Sequence, residues 1–143
     1  MPGPIVSSAE KLLAYLHHDM AHLTREVFRV LFLDSNNRLL ADRIMWEGTV
    51  AGVQVHPREV VREALSLNAT ALIFVHHNTS GNPAPSRHDI SVTTRLISAC
   101  DPFDVSVHDH IIIARSGSLS MRAEGLLAGS PSSGRSARHE VAL

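Results

Sequence analysis

The 143-residue sequence has few of the features that mark secreted, disulfide-bonded or membrane-spanning proteins. Its single cysteine, Cys100, cannot form a disulfide within the chain, so nothing requires an oxidising compartment. No apolar stretch approaches the length of a membrane span. The first residues, MPGPIVSSAEK, also lack the basic-then-apolar layout of a secretory signal. We therefore predict a cytoplasmic protein that does not enter a membrane.

The sequence also lacks an excess of either charge. Thirteen Lys and Arg residues nearly balance fourteen Asp and Glu residues, which gives a formal net charge of −1. Proteins that bind nucleic acid usually carry a visible basic excess, because phosphate neutralisation dominates their affinity. The composition therefore argues against DNA or RNA as the main partner.

The hydrophobic pattern predicts an α/β (α+β) domain in which helices flank a mixed sheet. SSAEKLLAYLHHDM is typical of a helix, and Ser7 and Glu10 have the spacing of a capping box. EVFRVLFLD predicts a buried strand, with LLADRIMW as its hairpin partner. The later elements are a helix at 57–68, a strand at 70–75, a helix DISVTTRLISA, a strand DVSVHDHIIIA and a short strand SLSMR. We predict one domain over residues 1–127 and a disordered C-terminal tail over residues 128–143.

The strongest chemical signal is the stretch VHHNTSGNPAPSRHD, residues 75–89. At the end of a strand, side chains at i and i+2 point the same way, so positions 76 and 78 can converge. The following loop can bring Asp89 back to the same point. Three ligands and a water are the layout of a catalytic zinc site. Such a site also needs a carboxylate as base and a donor for the oxyanion.

This spacing resembles the JAMM (MPN+) metallopeptidase motif, His-x-His-x7-Ser-x2-Asp. HHNTSGNPAPSRHD is similar to the bacterial RadC form of that motif, His-Asn-His-Pro-Ser-Gly-Asp-Pro-x-Pro-Ser-x-x-Asp. The stretches EVFRVLFLD, EGT, VHPREVVREAL and HDHIII resemble further RadC blocks in the same order. The resemblance covers about Ser8 to Leu127 and corresponds to a RadC-like JAMM (JAB) domain alone.

The resemblance implies a JAMM/MPN-like sandwich, also described as cytidine-deaminase-like, and a zinc-dependent hydrolase of peptide or isopeptide bonds. His76 and Asp89 would be zinc ligands. Ser86 would hold the substrate oxyanion, and Glu26 would be the general base. The substrate would be a peptide or protein that the loops do not identify.

One ligand position departs from the motif. Asn78 stands where the second zinc histidine is expected, and its neutral amide oxygen is a poor zinc ligand. His77 occupies the variable position between the ligands, and in regular strand geometry it points to the opposite face. Thr79 replaces the usual proline, and Asn82 the usual aspartate. We favour impaired or absent zinc binding over a site that His77 rescues.

Several alternatives stay open at this stage. The chain could be a non-catalytic MPN-type scaffold or partner-binding domain, and the family's association with DNA repair suggests a third role that the charge does not support. Glu47 is a rival for the base, while Ser86 and Asp89 are fully explained as a helix cap. His110 is interpreted as a buried, hydrogen-bonded core residue, and Asp109 beside it has no role that the sequence explains. An apolar sheet edge could pair with a second copy of the chain.

Overall fold

The computed structural model describes residues 9–48 and 54–127 of the chain. Its elements are α1 (Ala9–Met20), β1 (Glu26–Leu33), β2 (Leu39–Gly48), α2 (Pro57–Ser66), β3 (Ala71–His77), α3 (Arg87–Cys100), a 3-10 turn (Asp101–Phe103), β4 (Ser106–Ala114) and β5 (Gly117–Ser120). The strands form one sheet in the order β2-β1-β3-β4-β5. Only β3 and β4 are parallel among these neighbours. This confirms the predicted mixed sheet with helices, and the arrangement is consistent with the JAB/MPN fold.

The two central strands explain the most apolar stretches of the sequence. Every residue of β1 and every residue of β3 is buried. A strand that is covered on both faces is a continuous apolar run and shows no alternation of polar residues. β1 and β3 pair antiparallel, with Val27 opposite His77 and Phe28 opposite His76. The start of β1 therefore lies beside the carboxyl end of β3.

The sheet carries a hydrophobic core on each face. On one face, Phe28 and Phe74 pack with residues of α2 and α3 such as Val60 and Leu96. On the other face, residues of α1 pack against the alternate positions of the strands; they include Leu16, Met20, Val27, Ile73 and Ile113. Because successive side chains of a strand face opposite layers, His76 lies on the α2/α3 face and His77 on the α1 face.

The element bounds differ from the predicted ones by a few residues. α2 ends at Ser66 and not at Asn68, because Asn68 takes a left-handed conformation with φ of 58°. β3 continues through both histidines to His77, where the predicted strand ended at Val75. The final strand spans Gly117–Ser120. The predicted cap Ser7 and the predicted tail 128–143 lie outside the described residues.

Within residues 9–48 and 54–127, no helix combines the length and the apolar character that crossing a membrane requires. The cytoplasmic location stays a prediction.

Candidate functional site

Three ionisable side chains from β1, β3 and α3 meet at one end of the sheet. Nε2 of His76 lies 2.8 Å from Oε1 of Glu26. Nδ1 of the same ring lies 3.4 Å from Oδ1 of Asp89, which is within ion-pair range but longer than a normal hydrogen bond. Only 3%, 3% and 5% of Glu26, His76 and Asp89 are exposed. The imidazole therefore bridges two buried carboxylates, one at each nitrogen.

The cluster stabilises its charged forms against the effect of burial. Burial disfavours the cation of His76, yet the carboxylates of Asp89 and Glu26 outweigh it and raise the pKa of the imidazole to about 9. Burial likewise disfavours the ionised form of Asp89, but His76 and the Ser86 N–H hold its pKa at about 2. The pKa of Glu26 is lowered against burial by His76 and Thr79. These shifts favour an imidazolium between two carboxylates.

The second oxygen of Glu26 is held by the loop that follows β3. Oε2 accepts hydrogen bonds from the backbone N and from Oγ1 of Thr79, each at 2.8 Å. Since Oε1 contacts His76, both oxygens of the carboxylate have partners within the protein. Glu47, the rival base, instead forms an ion pair with Arg25 at the surface. The structure thus brings Glu26, and not Glu47, to His76.

Ser86 caps the N-terminus of α3, as the sequence predicts. Its Oγ accepts a hydrogen bond from the backbone N of Asp89 at 3.0 Å, and Oδ2 of Asp89 accepts one from the backbone N of Ser86 at 2.8 Å. These two bonds are a complete capping box, so the predicted cap is confirmed. The capping box also fixes the Asp89 carboxylate at the entrance of the helix, where it faces His76. A role for Ser86 toward an oxyanion stays a prediction.

The side chain at the altered ligand position is engaged in its own loop. Oδ1 of Asn78 accepts a hydrogen bond from the backbone N of Ser80 at 3.0 Å. This contact is an Asx turn, in which the side chain of an asparagine accepts a hydrogen bond from the backbone N–H two residues later. The backbone N of Asn78 donates to the carbonyl of Ile113 at 2.9 Å, which keeps the residue in line with the end of β3. The amide oxygen therefore stabilises the turn.

His77 does not take the place of the missing ligand. β3 keeps a regular register through this residue, which pairs with Val27 on one side and Ile113 on the other. Its Nδ1 donates to the carbonyl of Arg25 at 2.8 Å. His77 therefore lies on the opposite face of the sheet from His76, as regular strand geometry predicts.

The residues fit a zinc ion only in part. Nδ1 of His76 is buried without a hydrogen bond of normal geometry, and it lies next to Asp89, so these two side chains could contact one ion. Asn78, the third position of the similar motif, accepts a hydrogen bond from Ser80 instead. Within residues 9–48 and 54–127, no group of three or more His, Cys, Asp or Glu side chains is arranged to hold a metal ion. This arrangement does not fit a complete zinc centre.

His110 on β4 forms the floor beneath the cluster. Its ring centroid lies 6.2 Å from that of His76. The rings of Phe28 and Phe74 are nearly perpendicular to it, with centroids at 5.6 and 5.9 Å. Oγ1 of Thr93 donates to the backbone carbonyl of Asp89 and also lies within hydrogen-bond distance of Nδ1 of His110. Burial lowers the pKa of His110 to about 3. The prediction of a buried, hydrogen-bonded core histidine is confirmed.

Asp109 has a structural role that the sequence did not reveal. Its Oδ1 accepts from the backbone N of His110 and of Arg122, at 2.7 and 3.0 Å, and its Oδ2 accepts from Oγ of Ser120 at 2.6 Å. These bonds tie β4 to the turn after β5. His108 has no partner on β3 and forms a bulge between Val107 and Asp109. The bulge interrupts the alternation of side chains between the two faces of β4. Neither the bonds of Asp109 to Ser120 and Arg122 nor the bulge at His108 could be predicted from a short-range sequence pattern.

Comparison with known proteins shows which family the chain resembles. A model of the RadC-like JAB domain matches residues 6–126. A UPF0758 protein of Ruegeria pomeroyi is 50% identical over 127 residues, which are 89% of this chain and 57% of the relative. A UPF0758 protein of Rhodobacter capsulatus is 50% identical over 124 residues, 87% of this chain and 58% of the relative. The chain thus spans little more than half the length of these relatives.

The JAB domain family is generally associated with zinc. The family match covers the elements that carry Glu26, His76 and Asp89. On these grounds, the chain belongs to the RadC-like JAB domain family.

Proposed function

We propose that this chain is a RadC-like JAB domain that binds a protein partner and does not hydrolyse peptide bonds with zinc. The observation that supports this most directly is the bridging position of His76 between Glu26 and Asp89. A peptide or protein partner is proposed over a nucleic acid, because the charges of the chain balance.

The bridge is incompatible with the layout of a hydrolytic zinc site. Such a site needs its ligands and its base to face the same ion and the same water. The two nitrogens of an imidazole point away from each other, and here each faces a different carboxylate. An ion at Nδ1 would lie beside Asp89 but away from Glu26, whereas an ion at Nε2 would have to displace Glu26. In neither position do ligand and base come together.

Asn78 is a second and independent departure. A neutral amide oxygen is a weaker zinc ligand than an imidazole nitrogen. Its oxygen already accepts a hydrogen bond from Ser80, so binding an ion would also break the Asx turn. Of the three positions to which the resemblance assigns zinc ligands, only His76 and Asp89 carry side chains suited to that role.

Zinc content tests this proposal. The tag-free chain, purified without added metal, is analysed for zinc per chain, and its thermal unfolding is followed with and without a chelator. We expect well below one zinc per chain and the same melting temperature in both conditions. His77→Gln is the matched control: this histidine lies on the other face of the sheet, so the variant should have the same zinc content as the unchanged chain. About one zinc per chain, with a chelator-dependent fall in melting temperature, would overturn the proposal.

A zinc-dependent peptidase is the second candidate function. It is favoured by the convergence of Glu26, His76 and Asp89, three residues to which the family resemblance assigns roles. It predicts that Glu26→Gln abolishes hydrolysis of peptide or isopeptide substrates while the circular dichroism spectrum is unchanged. Equal hydrolysis by the wild-type chain and Glu26→Gln would rule out this assignment of the base.

A further inference from the structure

Thr79 is an exposed residue whose two donors both bond the buried carboxylate of Glu26. Its hydroxyl and its backbone N each lie 2.8 Å from Oε2. Hydrogen bonds to an ionised acceptor are about twice as strong as those between neutral groups. Glu26 is thereby anchored from the side opposite to His76.

We propose that Thr79 is a positioning residue that holds Glu26 on His76 and, with Asn78, closes the site against a metal ion. The inference rests on the proposed function, since it names what keeps the site in its metal-free form. It assigns the loss of metal binding to two neighbouring residues that act in different ways. Asn78 provides no imidazole at position 78. Thr79 keeps the carboxylate of Glu26 on Nε2 of His76, a nitrogen that could otherwise bind an ion.

Thr79 opposes an ion at Nε2 of His76 and not one at Nδ1, because only Nε2 faces Glu26. For an ion to bind Nε2, Glu26 has to leave that nitrogen, and its Oε1 must turn away while Oε2 is still held by Thr79. The carboxylate is planar and rigid, so Oε1 cannot move far unless both bonds to Thr79 are strained or broken. A residue at position 79 without these donors would leave Glu26 free to rotate. Proline, which the similar RadC motif has here, lacks both an N–H and a hydroxyl.

Residue 79 can be changed without disturbing the core. Its side chain is exposed, so valine at this position keeps the branched shape, removes the hydroxyl and leaves no cavity. Serine keeps both donors and is the conservative control. Proline removes both donors and tests the full effect.

The experiment measures the zinc affinity of Asn78→His alone and combined with Thr79→Ser, Thr79→Val or Thr79→Pro. Metal-free proteins are titrated with zinc in competition with a chromophoric chelator, and folding is checked by circular dichroism. We expect Thr79→Val to tighten zinc binding of the Asn78→His chain about tenfold, the effect of one hydrogen bond to a charged group. Thr79→Pro should tighten it further, and Thr79→Ser should leave it unchanged.

Equal zinc affinity of Asn78→His with and without Thr79→Val would overturn the role of Thr79. Undetectable zinc in all these variants would overturn it as well, because another feature would then keep the ion out. If the proline variant does not fold, the comparison of valine with serine still decides the question. Zinc in the wild-type chain, by contrast, would overturn the proposed function, while the valine-to-serine ratio would still report on Thr79.

Discussion

Phe28 on β1 lies directly opposite His76 on β3 in an antiparallel register. Residues i and i+2 of a strand share a face, so Glu26 faces the same layer as Phe28 and His76. This is how a glutamate comes within 2.8 Å of a histidine fifty residues later in the chain. The contact depends on the register, since a slip of one residue would turn Glu26 to the face of α1.

The stability of the metal-free chain should be greatest between about pH 4.5 and 6.5. The pKa of His76 is raised to about 9, so its contribution is complete below its ordinary pKa of 6.5 and is lost as the pH rises toward 9. The pKa of Asp89 is lowered to about 2, and that of Glu26 is also lowered, so their contribution is lost as the pH falls below about 4. His110, the other titratable group facing His76, stays neutral throughout this range.

Urea unfolding at a series of pH values, in the presence of a chelator, measures this dependence. The alkaline limb should lose up to about 3 kcal/mol, the order of magnitude that corresponds to the raised pKa of His76. His76→Gln has no imidazole to titrate and should flatten that limb. A wild-type limb that persists unchanged in His76→Gln would contradict the assignment.

Glu26→Gln should destabilise the chain more than Glu47→Gln does. Glu26 is buried against His76, and removing one partner of a buried ion pair typically costs about 3 kcal/mol or more. The amide retains an acceptor for Thr79, so we expect a loss of about 2 kcal/mol. Glu47 pairs with Arg25 at the surface, where such pairs contribute about 1 kcal/mol or less. Equal free energies of unfolding for the two variants would contradict the buried ion pair.

Arg29→Lys should weaken the attachment of α1 and β2 to the centre of the sheet. Arg29 lies on β1 and forms a two-pronged ion pair with Asp42, through bonds of 2.7 Å each, and a further bond of 2.9 Å with Asp19 on α1. Lysine keeps the charge but loses the planar fork, so we expect a loss of about 1–2 kcal/mol in urea unfolding. Arg43→Lys is the matched control, because Arg43 pairs with Glu63 at the exposed edge. A larger effect for Arg43→Lys would count against this role of Arg29.

Cys100 should be unreactive toward thiol reagents while the chain is folded. The residue is fully buried at the end of α3, and burial raises the pKa of its thiol to about 11. The thiolate is the reactive form, so both access and ionisation oppose modification. We expect labelling by a disulfide reagent only after addition of denaturant. Rapid labelling of the native chain at neutral pH would show that this end of the core opens.

Local patterns predicted most of the elements and two features of the site. The apolar run EVFRVLFLD and the capping pair Ser86 and Asp89 each depend on neighbours within a few residues, and both predictions are confirmed. The spacing of His76, Ser86 and Asp89 indicated the family, which the matches confirm. The contacts among the side chains of the site could not be predicted from local patterns. Thr79 and Glu26 are far apart in sequence, and only the β1–β3 register brings them together.

The sequence alone therefore determined that the chain is a RadC-like JAB domain in which Asn78 stands where the similar motif has a histidine. Hydrophobic period, capping and motif spacing carry this information, because each acts over a short stretch of chain. The tertiary structure decided which of the site residues contact one another. Strand register placed Glu26 at one nitrogen of His76, and the start of α3 placed Asp89 at the other. The loop after β3 placed Thr79 on Glu26. Such contacts join distant residues through the packing of the whole sheet, so no local pattern contains them.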